Sequence, residues 1–122
     1  MAKVKLRWAG NFSEIGYDDN PNAPSLVSAR GKRVAGNKAQ VVTYLRSATN
    51  LIYSPGRDED HFDPKKSAGP GSIMTDGAWA WPATLAYYVE TYDVELPADF
   101  ETHIAKHRFQ PPPVADKLAL EY

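Results

Sequence analysis

Apolar and polar residues follow two rhythms along this chain, and the change between them sets out most of the predicted elements. Val4-Lys5-Leu6-Arg7-Trp8 alternates with period two. That predicts a half-buried strand with Val4, Leu6 and Trp8 on one face and Lys3, Lys5 and Arg7 on the other. Gly10-Asn11 is read as a turn into a second short strand over Phe12–Tyr17, and Asp18–Asn22 as a loop. Ser25–Arg30 reads as a short helix opened by Pro24 or Ser25 and stopped by Gly31. A stronger helix follows over 37–48, where Asn37 and Gln40 have the spacing of a capping box. Val41, Leu45 and Ala48 form its inner face, with Val42 beside them and Tyr44 and Arg46 toward solvent. Leu51–Ser54 reads as a short strand ended by Pro55-Gly56.

The sharpest local grammar lies in Ser72–Tyr92. Asp76-Gly77 between short apolar runs predicts a tight hairpin, with Trp79 and Trp81 on one side of the returning strand. Pro82 is expected at the first position of a helix whose buried stripe is Leu85, Tyr88, Val89 and Tyr92. A further helix over 97–108 buries Phe100 and Ile104, with Asp99 and Glu101 in its first turn and Lys106, His107 and Arg108 in its last. Pro111-Pro112-Pro113 ends it. Between these patterned regions, 57–71 has no apolar period and reads as one long polar loop. The fold class is therefore α+β. A small, mostly antiparallel sheet from residues near 3–9, 50–54, 72–75 and 78–81 packs against helices near 37–48, 82–92 and 97–108. One domain is expected over 1–110, followed by a Pro-rich tail over 111–122 that either docks or stays loose.

Composition narrows the chemistry. The chain has no Cys, which excludes disulfides and thiolate metal sites and fits a reducing cytoplasm. The alternating start has no continuous apolar stretch, and no run has the length of a membrane span, so a cytoplasmic protein without membrane contact is expected. The net charge of −1 is unevenly spread. Residues 1–50 carry eight Lys/Arg against three Asp/Glu, and 51–122 carry six against twelve. Such a split can orient a charged partner.

No nucleophile elbow, phosphate-binding glycine loop or Ser–His arrangement is present, so no catalytic residue, cofactor or metal is assigned and the chain is read as a non-enzyme. His103 and His107, four apart on a helix, share a face. With His61 they define one alternative, a small metal-dependent hydrolase, although Ile104 stands where a zinc protease needs its Glu. Asp58, Asp60 and Asp63 only loosely resemble a calcium loop, because Phe62 interrupts the required acidic positions. Arg30, Lys32, Arg33 and Lys38 define a second alternative, a nucleic-acid-binding or regulatory module, but without the interleaved aromatics of a single-strand surface. Nucleic acid is accordingly not expected as a partner. The remaining feature is an acidic segment with four carboxylates between Asp58 and Asp63, a candidate protein-binding surface.

The run Thr75-Asp76-Gly77-x-Trp79-x-Trp81-Pro82-x-x-Leu85-x-Tyr87-Tyr88-Val89-x-x-Tyr92-x-Val94-x-Leu96-Pro97-x-x-Phe100 resembles a recurring block in small bacterial proteins. Some of these resemble immunity proteins of polymorphic or contact-dependent toxin systems. The resemblance implies a protein that binds and neutralises a cognate bacterial toxin. It assigns no contact residues itself; the acidic segment does, with Asp58, Glu59, Asp60, His61, Phe62 and Asp63 as the expected contacts and Trp79 as a neighbouring aromatic platform.

Overall fold

The computed structural model describes residues 4–14, 23–33 and 36–121. Expectations for 15–22 lie outside these described residues. In chain order the elements are β1 (Val4–Lys5), β2 (Arg7–Trp8), α1 (Leu26–Ala29), α2 (Lys38–Ser47), β3 (Thr49–Ile52), β4 (Arg57–Asp60) and β5 (Asp63–Pro70). They continue with β6 (Ile73–Thr75), β7 (Trp79–Pro82), α3 (Leu85–Tyr92), α4 (Ala98–Lys106), a 3-10 turn at Lys117–Ala119 and β8 (Leu120–Glu121). The class is α+β, as the sequence implies. The pairings are mostly antiparallel, as expected, but not purely so: the central sheet has the order β2-β7-β6-β3, with β2 parallel to β7. β1 and β8 form a second, parallel pair, and β4 and β5 an antiparallel hairpin of their own.

The β6–β7 hairpin is the frame. Gly77 has φ of 93°, a conformation that residues with a Cβ avoid. Thr75 Oγ1 donates to the Trp79 carbonyl and accepts from the Gly77 N–H, which closes the turn with side-chain bonds. Alternation then divides the sheet's residues between two clusters. Met74, Trp79 and Trp81 join the large core formed with Val41, Leu45, Leu85, Val89, Phe100 and Ile104 of the helices. Ile73, Ala80 and Leu51 join a smaller cluster with Leu6 and Leu120. Trp79 and Trp81 both lie against Phe100, at ring separations of 4.6 and 5.3 Å, as two residues on one strand face should.

Several expectations change. The first strand is split. Leu6 donates its N–H to Glu121 at 2.8 Å, whereas Arg7 and Ala9 donate to Ala78 and Ala80 at 3.0 Å. Leu6 is buried while Val4 is half exposed, so the apolar face of the strand rests on its centre. Residues 11–14 form no strand, though Phe12 is buried. Pro82 ends β7 rather than opening a helix, because the ladder continues to a bond from Ala83 N–H to the Ser72 carbonyl. Asn37 has φ of 62° and forms no side-chain cap. Tyr44 faces the core, fully buried. The tail docks: β8 pairs with β1, and Val114 donates its N–H to Thr49 Oγ1 at 3.2 Å.

The four-residue α1 is too short to persist alone. Glu14 holds it by accepting from the Leu26 and Val27 N–H groups at 2.8 and 3.0 Å and from the Ser25 hydroxyl. Burial pushes the Glu14 carboxyl up, but these donors outweigh it and lower the pKa from 4.5 to about 2. The contribution is therefore complete above pH 4.5 and lost as pH falls through about 2. Glu14→Gln should unfold more easily than the parent in urea at neutral pH, with the two curves converging as pH falls toward that lower value. Leu120→Ala, at the centre of the smaller cluster, should cost about 2–3 kcal/mol in the same urea experiment.

Candidate interaction surface

The segment read as a long loop is a β-hairpin. β4 and β5 pair Arg57 with Pro70, Asp58 with Gly69, Glu59 with Ser67 and Asp60 with Asp63, with irregular register either side of Glu59. Its strands lack an apolar face because little of the hairpin is held by apolar burial. Ala68 reaches the large core, and a buried carboxylate supplies the main polar anchor. Asp60 is 1% exposed and accepts from the hydroxyls of Tyr87 and Tyr92, both at 2.6 Å, and from the Phe62 N–H at 2.7 Å. Next to it the His61 N–H donates to the Tyr88 hydroxyl at 3.0 Å. Burial raises the Asp60 pKa, but the Tyr87 and Tyr92 hydroxyls and the amides of Phe62 and Asp63 outweigh it and hold the carboxyl below its usual 3.8. The same bonds raise both tyrosines, since a phenolate beside this carboxylate would lose its donor and meet a like charge.

Aromatic contacts complete the anchor. The Phe62 ring lies 4.7 Å from that of Tyr92, edge to face. The Arg30 guanidinium sits 4.4 Å over Phe62 and 4.8 Å over Tyr92. The hairpin, α3 and the end of α1 are thereby joined at one point.

The seven expected contact residues do not form one surface. Glu59 and His61 are exposed, and Asp58, Phe62 and Asp63 are half-buried. Lys65 donates its backbone N–H to Asp63 at 3.1 Å, and the Lys66 ammonium lies 3.9 Å from the same carboxylate. Asp60 is turned inward as the anchor and faces no partner. Trp79 is not a platform either: it is 4% exposed, packed on Phe100 and covered by the Arg7 guanidinium at 4.3 Å. The anchoring roles of Tyr87, Tyr92 and Arg30 were not read from sequence. An Asp beside a chain reversal, with two tyrosines five apart on one helix, was the available signal.

The histidines occupy separate places. His61 lies on the hairpin, its ring against Phe62. His103 and His107 are on α4, with ring centroids 4.4 Å apart. His103 Nε2 is 2.9 Å from Asp76 Oδ2, and the Asp76 side chain is fully buried. Among the described residues no three His, Asp or Glu side chains form a group able to hold a metal ion. The basic stretch is likewise dispersed. Arg33 is buried and bonds both oxygens of Glu101 at 3.0 and 3.1 Å, Lys38 pairs with Asp93, and Arg30 is in the aromatic anchor. No helix among the described residues is long and apolar enough to cross a membrane. No protein-family model, curated protein or solved structure matches the chain.

Asp60→Ala leaves two tyrosine hydroxyls and the backbone amides of the turn without their acceptor and should cost about 3 kcal/mol. Hydrogen exchange should quicken across 57–70 more than across β6 and β7. Because the native pKa is depressed, the stabilisation is present above the ordinary carboxylate range and disappears as pH falls through the native value. The urea midpoints of parent and variant should therefore converge in acid.

Proposed function

We propose that this chain is a cytoplasmic immunity protein that binds a cognate bacterial toxin stoichiometrically, with the β4–β5 hairpin as its interface. One observation carries the reading: a charged two-stranded hairpin stands outside the central sheet but is fixed to the body by the buried Asp60 carboxylate and by the contacts of His61, Phe62 and Ala68. A surface held in place before encounter loses little conformational freedom on binding, so more of its interaction energy appears as affinity. Glu59 and His61 are its exposed acidic and tip residues, with Lys65 and Lys66 on the returning strand. Charges of both signs on one short element suit the selection of one partner over its relatives. The resemblance of the Thr75–Phe100 block to small bacterial proteins, some like immunity proteins, supports the same reading.

The test is capture from the source bacterium by the tagged full chain, followed by calorimetry with the purified partner. One-to-one binding and relief of growth inhibition when the two are co-expressed are expected. Glu59→Lys combined with Lys65→Glu should weaken binding by about tenfold or more while leaving the fold intact. Unchanged affinity in that variant would remove the hairpin from the interface. Absence of any stoichiometric partner would sink the immunity reading itself.

A further inference from the structure

A cleft of about 400 Å³ opens beneath the hairpin, between β5, the last turn of α2, β3 and the start of α3. This volume lies within the range that holds small organic ligands. Its floor includes Leu45, Met74 and Ala83. Arg46, Arg57 and Asn50 supply hydrogen-bond donors from different elements, and no Asp or Glu is among the lining residues described. That makeup contrasts with the chain's net charge of −1 and with the acidic β4 strand above it.

Both guanidinium groups are available at low cost. Arg57 donates Nε to Ser67 Oγ at 3.0 Å and enters no ion pair among the described residues. Arg46 bonds the two oxygens of Glu90 at 3.2 and 3.4 Å, with both side chains about half exposed. An exposed pair of this kind contributes little, so an incoming carboxylate can displace Glu90. Tyr87 also lines the cleft, but its hydroxyl is committed to Asp60, which leaves its ring as wall. The local field limits the charge. Leu45 and Arg46 belong to the C-terminal turn of α2, the partially negative end of the helix dipole. A single negative charge spread over two oxygens suits this position better than a dianion.

We propose that the cleft binds a small organic monocarboxylate, its carboxylate gripped by Arg46 and Arg57 and its apolar body resting on Leu45, Met74 and Ala83. The site uses none of the exposed hairpin charges assigned to the protein partner, so it stands or falls independently of that reading. Binding here would bridge the hairpin to the helices at a second point, besides Asp60.

The experiment is an amide NMR titration of the full chain with 3-phenylpropionate, and with 3-phenylpropanamide as its neutral twin. The acid should give saturable shifts at Asn50, Ser67, Ala68 and Gly69 that the amide does not. Arg57→Gln should weaken binding about tenfold or more. Glu90→Gln should tighten it about twofold to fivefold, by removing the carboxylate that competes for Arg46. A purely structural role for these residues would not produce opposite effects, and the Glu90 variant remains informative if Arg57→Gln fails to fold. The proposal is overturned if the acid shifts none of these amides, if acid and amide act equally, or if Glu90→Gln binds no more tightly than the parent.

Discussion

Two buried carboxyl groups hold this molecule together, and each does so at the reversal of a β-hairpin. Asp76 lies between β6 and β7, and its Oδ1 accepts the Ala78 and Trp79 N–H groups at 2.9 and 2.8 Å. Its Oδ2 meets the Tyr44 hydroxyl at 2.5 Å and His103 Nε2 at 2.9 Å. Asp60 repeats the arrangement in the β4–β5 hairpin, with backbone amides on one side and two tyrosine hydroxyls on the other. A buried carboxyl is costly unless its lone pairs are filled. Here the partners come from the turn itself and from helices remote in sequence. The requirement therefore couples local chain reversal to helix docking: α2 and α4 meet at Asp76, and α3 meets the second hairpin at Asp60.

This coupling explains where the two tryptophans lie. With Asp76 fixing the turn, Trp79 and Trp81 are pinned on the helix-covered face, and Trp81 Nε1 finds the Leu45 carbonyl at 3.1 Å. Tyr44 stacks obliquely on Trp81 at 6.0 Å, and burial together with the Asp76 carboxyl raises its pKa far above the phenolic norm. These polar groups of the core are thus bound to one another across elements. Arg33 and Glu101 do the same near the edge, tying the segment after α1 to α4.

The parts of the fold legible in sequence are those decided by local chemistry. The Asp76-Gly77 turn, the stripe of Leu85, Tyr88 and Val89, and the Phe100–Ile104 pair follow from spacing, and the structure has them. What was missed depends on partners far along the chain. Tyr44 looks like a solvent-facing residue until Asp76, 32 positions away, accepts its hydroxyl. The β4–β5 strands carry no apolar alternation, so periodicity could not separate them from a loop; their order comes from Tyr87 and Tyr92, 27 and 32 residues distant from Asp60. The parallel pairings of β1 and β2 are invisible to local patterning for the same reason. Of the candidate site, Glu59 and His61 are exposed, whereas Asp60 and Trp79 are buried, because acidity and aromatic size do not reveal which side chains have internal partners.

The pairing of β1 with β8 brings Val4 opposite Leu120. The strands run parallel, so tension applied through these two segments would slide them past one another along their length. Their hydrogen bonds would share such a load together instead of opening one after another. The same holds where β2 runs beside β7, the next ladder inward. The smaller cluster of Leu6, Leu51, Ile73 and Ala80 thus sits behind a mechanical clasp formed by opposite ends of the described chain. Resistance to pulling would be set by this short shear joint, and the helix-covered core would come under strain only after the clasp had yielded.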